Sequence, residues 1–512
     1  MRGRSILALR KPSGRGYKAC VDRTTKEDVY KFSVLAIKWS IPISVFAILW
    51  LKPISGFAIM NHNVPNEGGC AMKRRAENEL TVWLHSAPRK PLVVNGARQV
   101  GKTWLVTDFA KRHFESIAHV VFLNNEEAQS AFDGSLDANR LLMLIGALTG
   151  TNPRDGKTLV FLDEIQECPR AIAALKLFCE QTPDVPIVAA GSLLGVALNR
   201  RGSHEQPILW PVGKVSYLNL FPMTFDEFVV AVNPQLADIL EEDDPTLADM
   251  VSERLTELLK TYMFVGGMPE AVAAFLQTGD PAAARKVQSD LLLGYEYDFS
   301  KHVDSPLMTE RIRETWRSVP SQLATESDMK RFTYAAIKSG ARGRDYRDAV
   351  TWLANAGLVT RVARVSKPGI PLEGYADNVY FKLYLLDVGL LGAATRLDMH
   401  VLLNDNQHFT EYKGAYAEQF VCQHLLAYDG RAPFYWSADG KNAKGEIDFL
   451  VERAGRILPV EVKAAQNVAG ESLSNFCRAN KLDKAVRFSL RGYIDQGWLT
   501  NIPMYSIGHI RE

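Results

Sequence analysis

The stretch Gly96-Ala-Arg-Gln-Val-Gly101-Lys102-Thr103 constrains this chain more than any other. It fits the pattern GxxxxGK[ST], a loop that functions only between a buried strand and the start of a helix. Both neighbours are present. Pro91-Leu-Val-Val-Asn95 reads as a buried strand, and Lys102 to Phe114 reads as a helix with apolar or small residues at Leu105, Val106, Phe109 and Ala110. Glycines at such a turn let the backbone N–H groups of Gly96, Ala97, Arg98, Gln99, Val100 and Gly101 approach phosphates. Lys102 supplies a point charge to the outer phosphates, and the Thr103 hydroxyl reaches Mg²⁺. The expected ligands are therefore ATP and Mg²⁺. A glycine turn between any strand and helix is the bland alternative, and the strand–loop–helix context argues against it.

Thr158-Leu-Val-Phe-Leu-Asp163-Glu164-Ile-Gln166 is an apolar strand ending in two carboxylates. In P-loop ATPases a strand of this kind is expected beside the P-loop strand. Its Asp163 would order the Mg²⁺, and Glu164 would polarise the attacking water. Ser192 follows a further strand and reads as a sensor of the nucleotide.

Three kinds of segment carry a resemblance. One is the set GARQVGKT, FLDEIQ, Ala190-Gly191-Ser192-Leu193-Leu194-Gly195 and Pro211-Val-Gly-Lys214-Val. The others are Tyr262-Met-Phe-Val-Gly-Gly-Met-Pro-Glu270 and Phe381-Lys-Leu-Tyr-Leu-Leu-Asp-Val-Gly-Leu390. From about Met72 to the C-terminus the chain resembles a family of bacterial and archaeal AAA-type ATPases. There the ATPase is followed by a domain of unknown function that resembles PD-(D/E)XK nucleases. The resemblance implies an ATP-hydrolysing core, and it defines the chemistry better than the biological role.

At 512 residues the chain is too long for one core. A net charge of +2 argues against a general polyanion binder, so any nucleic-acid contact must rest on local patches. Cys20, Cys70, Cys168, Cys179, Cys422 and Cys477 are scattered without a CxxC, which suits reduced thiols in the cytoplasm and gives no zinc site. Phe32 to Met60 is apolar, but only Trp39 to Leu51 is free of charge, and Pro42 and Pro53 interrupt it. Residues 1–71 read either as a marginal membrane anchor or as a mis-assigned upstream extension. The second reading is preferred because Met72-Lys-Arg-Arg resembles the usual start of the family, and a membrane partner is not expected.

The expected fold class is α/β. Residues 72–224 read as a parallel P-loop sheet, with strands at Leu92–Asn95, His119–Leu123, Leu159–Leu162, Pro186–Ala190 and Val215–Leu220. Residues 225–300 read as a helical lid. Residues 301–373 read as a winged-helix module, with Tyr346, Ala349, Val350 and Leu353 as one helical stripe and Gly357 ending that helix. Lys330, Arg331, Lys338, Arg342, Arg344 and Arg347 make this module basic, so its face reads equally as a nucleic-acid contact or as a solvated surface. Residues 374–512 read as the C-terminal domain, for which the resemblance implies a restriction-endonuclease-like α/β fold.

In that domain Gly445-Glu446-Ile-Asp448 and Glu461-Val-Lys463 fit an ExD…ExK arrangement. Residues two apart on a strand share a face. A turn at Ala454-Gly455 would place Asp448 opposite Glu461 and Glu446 opposite Lys463, gathering three carboxylates and a lysine on one sheet face. Asp448 and Glu461 could then hold Mg²⁺, with Lys463 orienting water or stabilising phosphate charge. Glu418, on a helix spanning Glu411 to Leu426, matches the helix acid of PD-(D/E)XK enzymes. Cross-strand salt bridges on a solvated face are the alternative. AAA-type ATPases also draw an arginine from a neighbouring subunit, which makes a homo-oligomer an expectation of the resemblance. Lineages resembling this one have Gly-Arg where this chain has Gly213-Lys214, and a lysine lacks the bidentate contact. Arg200 or Arg201 read equally as a substitute or as surface charges, while Arg98 reads as a guard of the loop. Two functions follow: an ATPase that gates a nuclease-like module, or a nucleotide-dependent switch whose C-terminal fold only binds a nucleic acid or protein.

Overall fold

The computed structural model describes residues 72–192, 210–242, 244–301, 303, 305–329, 331–403, 410–438, 445–464 and 471–510. The expectations for 1–71, Arg200, Arg201 and Lys330 lie outside the described residues. Among the described residues, no helix is long and apolar enough to cross a membrane.

The first half runs α1 (Ala76–Leu84), β1 (Leu92–Asn95), α2 (Lys102–His113), β2 (Ser116–Val121), α3 (Ala138–Thr149), β3 (Thr158–Asp163), α4 (Pro169–Gln181), β4 (Ile187–Gly191), β5 (Ser216–Asn219). The strands form one parallel sheet in the order β2-β3-β4-β1-β5. Alternate residues feed two cores. Leu92, Val94, Leu159 and Phe161 pack with α1 and α2, whereas Val93, Val160 and Leu162 pack with α3 and α4. Helices thus cover both faces, which is why the strands read as continuous apolar runs. One sequence expectation needs correcting: β3 does not lie beside β1, because β4 sits between them. A crossover helix can span more than one strand, so order along the chain does not fix order in the sheet.

The helical stretch follows, with α5 (Phe225–Val232), α6 (Ser252–Val265), α7 (Pro269–Thr278) and α8 (Pro281–Asp298). Thr224 and Glu227 close a capping box on α5, and Glu227 also pairs with the buried Arg74 at 3.1 Å. Next come α9 (Pro306–Met329) and α10 (Gly343–Asn355), with Tyr346, Ala349, Val350 and Leu353 buried as the stripe requires. Gly357, at φ 71°, turns the chain out of α10.

The remaining strands are β6 (Val359–Val365), β7 (Ala376–Leu385), β8 (Phe434–Ser437), β9 (Glu446–Arg453), β10 (Arg456–Val462), β11 (Ala485–Ser489), β12 (Ile494–Asp495) and β13 (Leu499–Pro503). Between them lie α11 (Val388–Ala394), α12 (Thr410–Asp429) and α13 (Glu471–Asn480). All eight strands join one sheet, ordered β12-β13-β11-β10-β9-β8-β6-β7. The expected division between 301–373 and 374–512 therefore falls inside the antiparallel β6–β7 hairpin, and β6 also pairs in parallel with β8.

The β9–β10 hairpin turns where the sequence places it. Pairs run from Arg456↔Arg453 to Val460↔Phe449. Ala454 and Gly455 take φ 45° and 72°. Two positive φ values in a two-residue loop match the right-handed twist of the flanking strands.

Candidate nucleotide site and the C-terminal carboxylates

The P-loop is shaped by backbone that only a few residues tolerate. Gly96, Gln99 and Gly101 take φ 156°, 66° and 92°. A Cβ on Gly96 would lie 2.4 Å from the Leu220 carbonyl oxygen, so the first glycine is required by close approach of β5's exit. Lys102 is buried, and its ammonium donates to the carbonyls of Gly96 at 3.0 Å and Ala97 at 2.8 Å. Burial pushes its pKa down to about 8, against the pull of Glu164 and Asp163.

Thr103 Oγ1 donates to Asp163 Oδ2 at 2.8 Å, so the two residues expected to hold Mg²⁺ are in contact. The Glu164 amide donates to Asp163 Oδ1 at 3.0 Å, and Glu164 itself sits at φ 51°. That left-handed turn lets consecutive carboxylates serve different places. Glu164 Oε2 accepts from Ser192 Oγ at 3.3 Å and from the Gln166 amide. Arg98 Nε donates to Ser192 Oγ at 3.2 Å, and its guanidinium pairs with Asp298 at the end of α8. A continuous polar relay thus joins Asp298, Arg98, Ser192 and Glu164. Arg98 thus sits inside the loop, between Ser192 and Asp298. Lys214 pairs instead with Glu180 at 2.8 Å.

Lys102, Thr103, Glu164 and Lys301 line one cleft of about 750 Å³. Sequence reading missed Asp298, Lys301 and His119, whose Nε2 lies 3.3 Å from Asp163 Oδ2. His119 carried a signal, since it sits on a strand next to β3; Asp298, at the end of α8, and Lys301, in the turn after it, carried none. The donor set suits Mg²⁺, because a hydroxyl and a carboxylate are hard oxygen ligands already placed together.

This geometry is that of a P-loop ATPase core of the AAA type. Residues 88–229 match the family model described as an AAA domain. Residues 256–400 and 413–505 match two domains of unknown function, DUF8612 and DUF4143. No curated protein matches the chain. Among solved structures, the Walker-type ATPase PABY2304 of Pyrococcus abyssi is similar at 14% identity and TM-score 0.40, over 63% of this chain and 96% of that one. The Aeropyrum pernix ORC1 protein in complex with DNA shows 16% identity and TM-score 0.24, over 65% and 93%. A Thermotoga maritima RuvB variant shows 14% and 0.22, over 56% and 88%. Likeness at this level says nothing about what this chain acts on.

The C-terminal carboxylates fall into two groups. Lys382 of β7, almost fully buried, pairs with Glu418 of α12 at 3.1 Å and with Glu446 of β9 at 2.9 Å. Tyr384 also donates to Glu418 at 2.8 Å. Asp448 lies in this neighbourhood and accepts from the Val462 amide at 2.7 Å. Burial, then the Glu418 carboxylate, hold its pKa well above the usual carboxylate range. Glu461 belongs elsewhere. It takes Arg487 Nε at 2.8 Å and Lys463 at 3.2 Å. The expected convergence of Glu446, Asp448, Glu461 and Lys463 on one face is not what the structure has. The pairing ends at Val460↔Phe449, and β9 gains one residue against β8 between Leu450 and Ile447. A bulge of this kind re-aims side chains. Among the described residues, no three His, Cys, Asp or Glu side chains gather closely enough to hold a metal ion.

Proposed function

We propose that the chain binds ATP with Mg²⁺ and hydrolyses it, and that this cycle operates a switch in the C-terminal half. The observation that carries the reading is the contact of Thr103 with Asp163 beside the backbone-braced Lys102. Thr103 and Asp163 would hold Mg²⁺, which when bound neutralises charge on the phosphates. Lys102 would exchange its loop carbonyls for the outer phosphates. Glu164, held by Ser192 and Gln166, would orient the attacking water and take its proton. The relay to Asp298 ties that carboxylate to the lid. The test is the rate of phosphate release by the wild type and by Glu164→Gln, with nucleotide binding followed separately.

For the C-terminal half, a restriction-endonuclease-like fold used as a binding module is favoured over an active nuclease. Lys382 and Arg487 already neutralise carboxylates that a metal would need. A nuclease assay on DNA and RNA with Mn²⁺ and ATP, beside a Lys463→Ala control, decides between the two. Cleavage that disappears in the control would overturn the binding-module reading.

A further inference from the structure

β2 lends one side chain to the nucleotide site. Its run Ser116-Ile-Ala-His-Val-Val121 alternates across the sheet. Ala118 and Val120 are buried on the face that α3 and α4 cover. His119 stands on the other face with Ile117, which packs against the core of α1 and α2. The strand register explains what it reaches. His119 pairs with Phe161, and Val121 pairs with Asp163, so all four residues share that face. The imidazole stacks on the fully buried Phe161 ring, with centroids 4.6 Å apart and planes 17° apart. From there its Nε2 reaches along the strand to Asp163 Oδ2 at 3.3 Å. That distance is at the long end for a hydrogen bond. An ionised carboxylate only accepts, so Nε2 is the donor.

We infer that His119 is a positioning residue for the Mg²⁺ of the nucleotide, acting by fixing the Asp163 carboxylate. The inference rests on the reading that Thr103 and Asp163 hold that metal. Three donors set the carboxylate. The Glu164 amide donates to Oδ1 at 3.0 Å, while Thr103 Oγ1 and His119 Nε2 both donate to Oδ2. The first is backbone next along the chain, and the second belongs to a proposed ligand. Among the described residues, His119 is the one side chain hydrogen-bonded to Asp163 that is not itself expected to hold the metal. An outer partner of this kind holds a ligand in its binding orientation, and losing one typically costs about ten- to a hundredfold in metal affinity. The stack on Phe161 fixes the ring plane in which Nε2 meets Oδ2, and Phe161 is itself locked in the core.

Two variants separate this role from packing. His119→Phe keeps a ring on Phe161 and loses the donor. His119→Gln keeps a donor and loses the stack. His119→Ala removes both and should behave as His119→Phe does. The full chain is titrated with a fluorescent, non-hydrolysable ATP analogue, once with excess Mg²⁺ and once with EDTA. By reciprocity, the ratio of the two affinities reports how tightly the complex holds the metal, independently of turnover. In His119→Phe this ratio should fall about tenfold or more, with affinity in EDTA unchanged and no loss in melting temperature. His119→Gln should keep most of the wild-type ratio. An unchanged ratio in His119→Phe would overturn the inference, and a loss confined to His119→Gln would assign the residue to packing instead. Equal losses with Mg²⁺ and with EDTA would also overturn it. So would equal wild-type affinity in the two buffers, which leaves nucleotide binding intact. A wild type that binds the analogue in neither buffer would overturn the nucleotide reading itself, and the assignment of His119 with it.

Discussion

The protonation of Lys102 offers a measurement of the nucleotide site that needs no mutation. Its ammonium is buried against the carbonyls of Gly96 and Ala97, and burial lowers its pKa from the usual 10.5 to about 8. Bound phosphates would restore a high pKa, so ATP must select the charged form. At pH 7 about nine-tenths of the unliganded protein carries that charge, and at pH 9 about one-tenth does. ATP itself adds no proton change in this window, since a phosphate's second pKa is about 6. Affinity should therefore fall about tenfold from pH 7 to pH 9, or about 1.4 kcal/mol. The stability of the unliganded fold should move the other way. Below pH 8 the lysine is charged in both states, and the fold bears the full desolvation cost. Between pH 8 and 10.5 the unfolded chain binds more protons, so this cost is progressively relieved, by roughly 3 kcal/mol in all. Isothermal titration of MgATP at pH 7, 8 and 9, with melting of the unliganded protein in the same buffers, tests both signs. Flat affinity across this range, or affinity and stability rising together, would refute the argument.

Other perturbations act on separate parts of the same scheme. Glu164→Gln keeps the Thr103–Asp163 contact but removes the proton acceptor. It should bind MgATP like the wild type and release phosphate at least a hundredfold more slowly, within the usual range for lost acid–base catalysis. Lys382→Met leaves Glu418 and Glu446 without their shared cation, and chemical denaturation should show a loss of about 3 kcal/mol. Gly357→Val forces a branched residue into φ 71° where the chain packs on Ala97 of the P-loop. It should cost about 1–3 kcal/mol of stability and also weaken ATP binding. A variant that loses stability while binding ATP normally would show that the contact is not sensed by the loop.

How much of this was legible depended on the range of the interaction that decides it. The P-loop, β3 with its terminal carboxylates, the α10 stripe and the turn at Ala454–Gly455 are set by residues close in sequence. Their periodicity and turn chemistry could be read directly. The register of β9 against β10 followed from that turn alone. What failed depended on remote partners. Lys382 reaches Glu418 and Glu446 from another strand, and Arg487 reaches Glu461 from β11. Nothing near Asp448 in the sequence announces either cation. The bulge in β9 shows only in its pairing with β8, which is remote in sequence from the turn, so the shared face expected of an unbroken strand was lost. The place of β4 between β3 and β1 is a matter of crossover length, which the residues of β3 do not encode.

The P-loop is held by four contacts from outside its own sheet, and three of them come from beyond residue 224. Arg74 donates to the Val100 carbonyl at 3.1 Å, and Tyr295 of α8 donates to the Arg98 carbonyl at 2.9 Å. Asp298 binds the Arg98 side chain, and Gly357 rests against Ala97. When Lys102 turns from the loop carbonyls to a phosphate, Gly96 and Ala97 lose a shared cation. The residues around them then have to adjust. Gly357 is the support with the most direct route onward. β6 begins two residues later, at Val359, and pairs with both β7 and β8. A shift at Ala97 would therefore reach β6, the strand next to the edge of the eight-stranded sheet. On one side of β6 lies β7, with its Lys382 ion pairs; on the other lies β8, leading to the hairpin of Asp448. Such a path couples sites only if each end has two arrangements. The two hydrogen-bonding options of Lys102 provide this at the nucleotide end. At the far end, Lys382 holds Glu418 and Glu446 together, so a second arrangement there would have to release one of these two carboxylates from its cation.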